Sequence, residues 1–138
     1  MKVVGLDLGD KTLGIAVSDA LKMTAQPKET FTFKTAHYKH ALEYVTDLVQ
    51  TENVSTIVLG LPKSMDGSET ERAQISQRFA NKLREVVECE VILWDERLTT
   101  MQAERILIAG DVRRENRKKH IDKVAATIIL QSYLDAQV

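Results

Sequence analysis

Cysteine is nearly absent from this sequence: Cys89 stands alone among 138 residues. One cysteine excludes an intramolecular disulfide framework and a zinc site built on cysteine ligands. A chain of this length buries a core without such staples, and we expect one domain spanning residues 1–138. The scarcity of thiols fits a reducing compartment, and we predict that the protein is cytoplasmic.

Long apolar runs are missing as well. No run approaches the roughly 20 residues that span a bilayer, so no membrane association is expected. The opening MKVVGLDLG enters a strand pattern and lacks the apolar core and cleavage site of a signal peptide. Excess charge of one sign is also lacking, since the formal net charge is −1. That balance argues against a protein that coats nucleic acid by bulk attraction.

Alternating and helical spacings of apolar residues predict an α/β fold. Strands are predicted near 3–8, 13–17, 30–33, 56–59 and 91–94, and helices near 41–49, 75–86, 99–107 and 121–133. A capping box from Ser68 to Glu71 is expected to open the second helix. An antiparallel meander followed by β-α units implies a five-stranded mixed sheet, with a hairpin meander and parallel strands, flanked by helices.

Asp7 lies inside the first apolar strand, where aspartate is depleted. A buried carboxylate needs compensation, and a divalent cation provides it because hard cations prefer carboxylate oxygens. Gly5 and Gly9 flank Asp7 on the same strand face and leave room for a ligand. The alternative is a carboxylate bonded to backbone amides of the hairpin turn.

Two further carboxylates stand where a ligand site would form. Asp122 is expected in the first turn of the last helix, where the helix dipole keeps a carboxylate ionised; a plain helix cap is the alternative. Glu96 follows the strand 91–94 at its carboxyl end, where ligand sites of α/β sheets gather. Alternation does not decide whether Asp95 or Glu96 faces inward. We favour Glu96 for its longer reach, with a solvated turn as the alternative.

Together, Asp7, Glu96 and Asp122 predict one site for Mg²⁺ or Mn²⁺. Two such ions roughly 3.5–4 Å apart activate a water and stabilise a leaving oxygen in phosphodiester hydrolysis. We therefore expect a hydrolase acting on ester bonds, a metal-dependent nuclease. The three residues would be both metal ligands and catalytic residues, with two ions bound once substrate is present.

Four motifs occur in the order GLDLGDKTLGIAVSD, GLPKSMDGSE, DERLTT and DKVAATIIL. In that order they resemble the YqgF/RuvX-type family, over about Lys2 to Tyr133. Members of the family are described as Holliday-junction-resolvase-like and as pre-16S rRNA processing nucleases. The resemblance implies an RNase H-like fold, dependence on a divalent metal and cleavage of nucleic acid.

Carried onto this sequence, the aspartate of DxG is Asp7, the glutamate of DER is Glu96 and the aspartate before VAA is Asp122. The resemblance also assigns a rim to the site: Gly60, Leu61, Pro62, Asp66 and Gly67. Many RNase H-like nucleases carry a second acid on the strand next to the first, whereas here that strand ends in GLP. The glutamate comes from one strand further, roughly 9–10 Å away. Metal affinity is therefore expected to be low until substrate phosphate joins the coordination.

The segment 111–120 is strongly basic and is predicted to be a loop that meets substrate phosphates. Its cations are Arg113, Arg114, Arg117, Lys118 and Lys119. Basic side chains supply affinity by releasing counterions, with little sequence information; a solvated loop is the alternative. Lys11, in the turn beside Asp7, and Arg97 are further candidates for phosphate contacts.

The expected partner is nucleic acid, either structured RNA or branched DNA. We favour processing of the 5′ end of pre-16S rRNA because the resemblance leans that way, with resolution of Holliday junctions as the alternative. A junction resolvase cuts two strands symmetrically and requires a two-fold dimer, so a monomer and a homodimer both stay open. Two other classes compete. A relative of the sugar kinases and actin would need a second DxG hairpin, and a non-catalytic nucleic-acid-binding module would not cut.

Overall fold

The computed structural model describes residues 1–64, 66–96 and 117–137, with side chains in the last helix described from Lys123 onward. The described strands are β1 (Lys2–Leu8), β2 (Thr12–Ser18), β3 (Ala25–Thr32), β4 (Val54–Leu61) and β5 (Glu90–Asp95). The described helices are α1 (Tyr38–Thr51), α2 (Glu71–Val86) and α3 (Arg117–Ala136). The helix predicted near 99–107 lies outside the described residues.

The described strands form one sheet in the order β3-β2-β1-β4-β5. β1, β2 and β3 pair in antiparallel fashion, while β1, β4 and β5 are parallel. The predicted mixed sheet, a meander joined to parallel strands, is confirmed. Because β1, β4 and β5 run in the same direction, they end at the same edge of the sheet, which is where ligand sites of such sheets lie.

Each face of the sheet is covered by a different set of helices. On one face, Val4, Leu6 and Leu8 of β1 join a core with the buried faces of α1 and α2. On the other face, Val3 of β1 joins a smaller core with α3. Since side chains alternate along a strand, Gly5 and Asp7 share the α3 face with Val3.

Helix α3 approaches β1 closely at Gly5. A β-carbon on Gly5 would lie 2.7 Å from the β-carbon of Leu130 and 2.8 Å from the carbonyl oxygen of Ala126. Ordinary side chains do not tolerate such distances, so only glycine lets the helix backbone rest on the strand. The helix is thereby fixed over the strand that carries Asp7.

Strand β3 begins at Ala25, five residues before the predicted start at Thr30. It is an edge strand, and much of it is exposed, so the apolar alternation that marks a strand is weak there. Pro27 does not end the strand. It pairs with Ala16 next to a register shift, and an edge or bulge is where a sheet accepts proline.

Helix α2 starts later than the predicted capping box placed it. Its N-cap is Thr70, whose Oγ1 accepts a hydrogen bond from the amide of Ala73 at 3.1 Å. Ser68 belongs to the preceding turn, where its amide donates to Asp66 Oδ1 at 2.9 Å. The prediction of Ser68 as the cap was therefore wrong, because its hydrogen bonds close that turn.

Helix α3 begins at Arg117, four residues before the predicted start at Ile121. Arg117, Lys118 and Lys119 therefore belong to the helix, and the prediction of a loop reaching His120 was wrong. Arginine and lysine favour helices, and apolar spacing alone could not locate this start. No described helix is long and apolar enough to cross a membrane.

Candidate active site

The sheet edge formed by the ends of β1, β4 and β5 carries the predicted acids. Asp7 is the penultimate residue of β1 and is half-buried. Glu96 follows the last residue of β5, and it too is half-buried. The strand order puts β4 between them, so the predicted separation of two strand spacings is confirmed.

Glu96 spans that separation and is hydrogen-bonded to Asp7. Burial, the negative charge of Asp7 and this hydrogen bond together raise the pKa of Glu96 to about 8. Asp95 adds a smaller repulsion in the same direction. Glu96, the acid that the sequence analysis favoured over Asp95, is thus in contact with Asp7.

The route of Glu96 to Asp7 passes over Gly60 of β4. A β-carbon on Gly60 would lie 2.9 Å from both Cδ and Oε1 of Glu96, and 2.6 Å from Cδ1 of Ile129 on α3. Any side chain at position 60 would therefore occupy the space that the carboxyl group uses. Gly60, which the resemblance placed on the rim, is the position that lets an acid from the outer strand reach the inner one.

A cation that the sequence analysis missed stands beside this pair. Arg72, in the first turn of α2, donates to the carbonyl oxygen of Leu8 at 2.6 Å and to Asp10 Oδ1 at 2.7 Å. It also bonds the hydroxyl of Tyr38 at 3.1 Å. The positive charge of Arg72 lowers the pKa of Glu96 and so offsets part of the rise that burial causes. Arg72, which lies on α2, thus connects the end of β1 to the start of α1.

One signal in the sequence could have identified Arg72. The helix dipole disfavours a cation in the first turn of a helix, and Arg72 follows the Thr70 cap by two residues. A residue that violates such a local rule is expected to have a compensating role. Its partners are the carbonyl of Leu8, Asp10 and Tyr38, all distant from Arg72 in the sequence. They could be identified only from the folded structure.

The third predicted acid, Asp122, is the sixth residue of α3, so the prediction of a place in the first turn was wrong. Its side chain lies outside the described residues. The same holds for the side chains of Arg117, Lys118 and Lys119, and for the whole of Arg97, Arg113 and Arg114. Lys11 is described and is exposed in the turn after Asp7.

The rim that the resemblance proposed has its own internal structure. Leu61 ends β4, and the carbonyl of Pro62 accepts a hydrogen bond from Thr70 Oγ1 at 3.1 Å. Asp66 accepts hydrogen bonds from Ser64 and Ser68, which lower its pKa to about 2. Gly67 adopts a φ of 86°, which suits glycine. These contacts shape the connection between β4 and α2.

The described carboxyl pair fits a hard divalent cation. Two carboxyl groups in contact repel each other when both are ionised, and a cation between them removes that cost. Among the described side chains there is no group of three or more histidine, cysteine, aspartate or glutamate residues of the kind that holds a metal. Asp7 and Glu96 could supply two ligands to such a cation, and a complete site would need a further one.

Comparisons with known proteins identify the family and the fold. The family model described as "RuvX: Holliday junction resolvase" matches residues 1–136. A protein of Halalkalibacterium halodurans named "Putative pre-16S rRNA nuclease" is 53% identical over 137 residues, which cover 99% of this chain and 98% of that protein.

Two solved structures share the fold at low sequence identity. The Fowlpox virus resolvase, in complex with substrate Holliday junction DNA, has a TM-score of 0.62 and 16% identity, over 100% of this chain and 99% of that one. RuvC of Thermus thermophilus, in complex with a Holliday junction substrate, has a TM-score of 0.58 and 15% identity, over 99% and 96%. The predicted RNase H-like architecture is confirmed, and by the match over residues 1–136 the chain belongs to the RuvX family of Holliday junction resolvases.

Proposed function

We propose that this protein is a metal-dependent nuclease in which Asp7, Glu96 and Asp122 hold Mg²⁺ or Mn²⁺, as two ions when substrate is bound. The observation that carries the proposal is the contact of Glu96 with Asp7 across Gly60. Two acids from different strands meet at the edge where ligands of α/β sheets bind. When bound, the ions supply charge neutralisation and activation of water at the phosphodiester.

The packing of α3 supports Asp122 as the third ligand. Ala126 contacts Gly5, and residue 122 stands one helical turn before it, about 6 Å along the axis. Asp7 stands two residues beyond Gly5 on the same strand face, about 6.6 Å away. Both acids are thus carried close to a single contact between helix and strand.

The other residues of the site would prepare the carboxylates and receive the substrate. Arg72 holds the end of β1 through the carbonyl of Leu8, which limits the motion of Asp7. Phosphate contacts are proposed for Lys11, Arg97, Arg113, Arg114, Arg117, Lys118 and Lys119. Of these, Lys11 is exposed in the turn directly after Asp7.

For the substrate we propose precursor 16S rRNA, cut in the processing of its 5′ end. The name of the Halalkalibacterium halodurans relative, at 53% identity, supports this choice. The description of the family and the titles of both solved structures favour a second candidate, the Holliday junction. The carboxylate pair itself is compatible with either, since both substrates present a phosphodiester.

A cleavage assay with Mg²⁺ and with Mn²⁺ tests the proposed activity. Asp7→Asn and Glu96→Gln each remove one ligand charge with little change of shape, and each should lower the cleavage rate by at least about a hundredfold. Asp47→Asn, on the exposed face of α1, is the matched control and should retain the full rate. Equal rates for wild type and Asp7→Asn would show that cleavage arises elsewhere. Failure of the wild type to cut would favour a non-catalytic binding module.

The substrate is tested by offering a four-way DNA junction and a pre-16S 5′ fragment side by side. Faster cleavage of the RNA would support rRNA processing, whereas symmetric cleavage of the junction by a dimer would support the alternative. The oligomeric state is measured on the same sample by light scattering.

Metal binding is tested by calorimetric titration of Mg²⁺ with and without nucleic acid. With two of the proposed ligands carried by separate strands, we expect weak binding to the protein alone and tighter binding once substrate phosphate contributes oxygens. Asp7→Asn should abolish both signals. Equal affinity in the two titrations would contradict the expected role of substrate.

A further inference from the structure

A groove between α1 and α2 lies outside the site described above. Its volume is about 220 Å³. It is lined by Tyr38, Lys39, Leu42, Ile75, Arg78, Phe79 and Lys82. Ligand pockets for drug-sized molecules are larger, roughly 300–1,000 Å³, so this groove suits a smaller group such as one nucleobase.

The rim of the groove is cationic. Its three charged lining residues, Lys39, Arg78 and Lys82, are all positive and all exposed. Arg78 and Lys82 are four residues apart on α2, where like charges weaken a helix. In a chain of net charge −1, three cations around one groove indicate an anionic partner.

The floor of the groove is apolar. Phe79 is buried, and Leu42 and Ile75 are half-buried between the two helices. The ring of Tyr38 stands at one end, held by an edge contact with Phe33 at 5.9 Å between centroids and by its hydroxyl on Arg72. Apolar and aromatic surface beside exposed cations is the combination that binds single-stranded nucleic acid, because bases stack on the surface while phosphates pair with the cations.

Hydrogen bonds connect one end of the groove to the proposed active site. Tyr38 lines the groove and bonds Arg72, and Arg72 bonds the carbonyl of Leu8, next to Asp7 in β1. Both helices begin near that edge of the sheet. From Ile75 to Lys82 the groove follows α2 for about 10 Å, leading away from the start of that helix.

We propose that this groove binds a single-stranded segment of the substrate that flanks the cleaved phosphodiester. One base would lie on the floor formed by Leu42, Ile75 and Phe79, and the flanking phosphates would pair with Lys39, Arg78 and Lys82. The proposal rests on the proposed nuclease function and adds a second contact region to it.

The test measures binding of a fluorescein-labelled single-stranded oligoribonucleotide by anisotropy over a range of salt concentrations. All proteins carry Asp7→Asn to prevent cleavage. Changing Lys39, Arg78 and Lys82 together to Gln should reduce the slope of log Kd against log salt by about 2. The control changes Lys2, Lys22 and Lys28 to Gln, which removes the same charge at the opposite end of β1 and in the region of β3. It should leave the slope unchanged.

A second measurement tests the apolar floor. A single abasic nucleotide is moved along the oligonucleotide, and at one position it should weaken binding about tenfold. That loss should disappear in the groove variant, in which Lys39, Arg78 and Lys82 are changed to Gln, because the strand is then no longer held in the groove. A loss that is uniform along the strand, or that persists in the groove variant, would overturn the base-binding floor.

Three outcomes separate this inference from the proposed function. If the groove variant and the control variant reduce the slope equally, the groove has no special role and the inference fails. Cleavage by the wild-type protein would in that case still support the proposed nuclease function. If polyglutamate binds as tightly and with the same sensitivity to the groove variant, the partner is an acidic peptide and the inference also fails. If the wild type neither binds nor cuts, the proposed function fails with it.

Discussion

The carboxyl carbon of Glu96 lies 2.9 Å from the point that a β-carbon on Gly60 would occupy. The side chain crosses the middle of three parallel strands at the one position in its path that has no side chain. From there it reaches Asp7 and bonds it. The acid pair thus depends on a residue that supplies no functional group.

Gly60→Ala should therefore disable the site. The new methyl group would collide with Cδ and Oε1 of Glu96 and with Cδ1 of Ile129. We expect cleavage to fall by about a hundredfold or more and the free energy of unfolding to fall by about 1–3 kcal/mol. Steady-state cleavage and denaturant unfolding measure the two effects.

The double variant Gly60→Ala with Ile129→Val separates them. Shortening Ile129 removes the Cδ1 atom from the collision and leaves the collision with Glu96. Stability should recover in large part, while cleavage should not. Recovery of both together would show that the loss came from packing alone.

Stability should depend on pH through Glu96. Its pKa is about 8 in the folded protein, above the ordinary value of 4.5. Between those two values the folded state holds a proton that the unfolded state has lost, so stability falls as pH rises from about 4.5 to about 8, and the contribution levels off above that. One such group gives a slope of at most about 1.4 kcal/mol per pH unit. Thermal unfolding in the presence of a chelator measures it.

Glu96→Gln is the control for this pH dependence. It cannot ionise, so its stability should decline less across the same range. Added Mg²⁺ should flatten the wild-type curve, because the metal favours the deprotonated carboxyl. Identical slopes for the wild type and Glu96→Gln would refute the assignment.

Arg72 should act as a positioning residue whose charge and shape both count. Arg72→Gln removes the charge that lowers the pKa of Glu96, so the pH profile of cleavage should move to higher pH. Arg72→Lys keeps the charge but cannot bond Leu8, Asp10 and Tyr38 at once. It should lower kcat about 10–100-fold with the pH profile in place. A profile that shifts equally in both variants would contradict a role for the charge.

Gly5→Ala should loosen the contact between β1 and α3. Its β-carbon would meet the backbone oxygen of Ala126 at 2.8 Å, and backbone cannot turn aside as a side chain can. A loss of about 1–3 kcal/mol in the free energy of unfolding is expected. Gly9→Ala is the matched control, because its nearest contact is the hydroxyl of Thr12 at 2.9 Å. A larger loss for Gly9→Ala would be inconsistent with this packing.

The sequence predicted the sheet well where burial is strong. Strands β1, β2, β4 and β5 all carry apolar residues that a core requires, and their periodicity or continuous apolarity reveals them. Strand β3 was recovered only in part, because its exposed residues follow no such constraint. The start of α3 was missed for the same reason, since Arg117 to His120 carry helix-forming side chains without an apolar face.

Of the three predicted acids, the structure brings Asp7 and Glu96 into contact, and the residues that support this pair were missed. Asp7 conflicts with its apolar strand, and Glu96 stands at a strand end, so each is visible from local context. Gly60 matters only because β4 lies between β1 and β5, which is a property of strand order. Arg72 matters through a backbone carbonyl on β1 that no side-chain pattern can indicate.

The groove between α1 and α2 illustrates the same limit. Lys39 stands 39 residues before Arg78 along the chain, and nothing in either segment indicates that they share a rim. The apolar spacing of each helix predicts that it packs on the sheet, and it does not specify which of its polar residues will face the neighbouring helix.

The glycine at position 60 also constrains how this lineage can change. An acid placed on β4 would bring its own carboxylate into the volume that Glu96 fills, so the two arrangements exclude each other within one molecule. A descendant that moved its second acid from β5 to β4 would first have to lose Glu96, or to lack a second acid for a time. Substitutions at 60 and 96 should therefore appear together in descendants of this chain, and seldom singly.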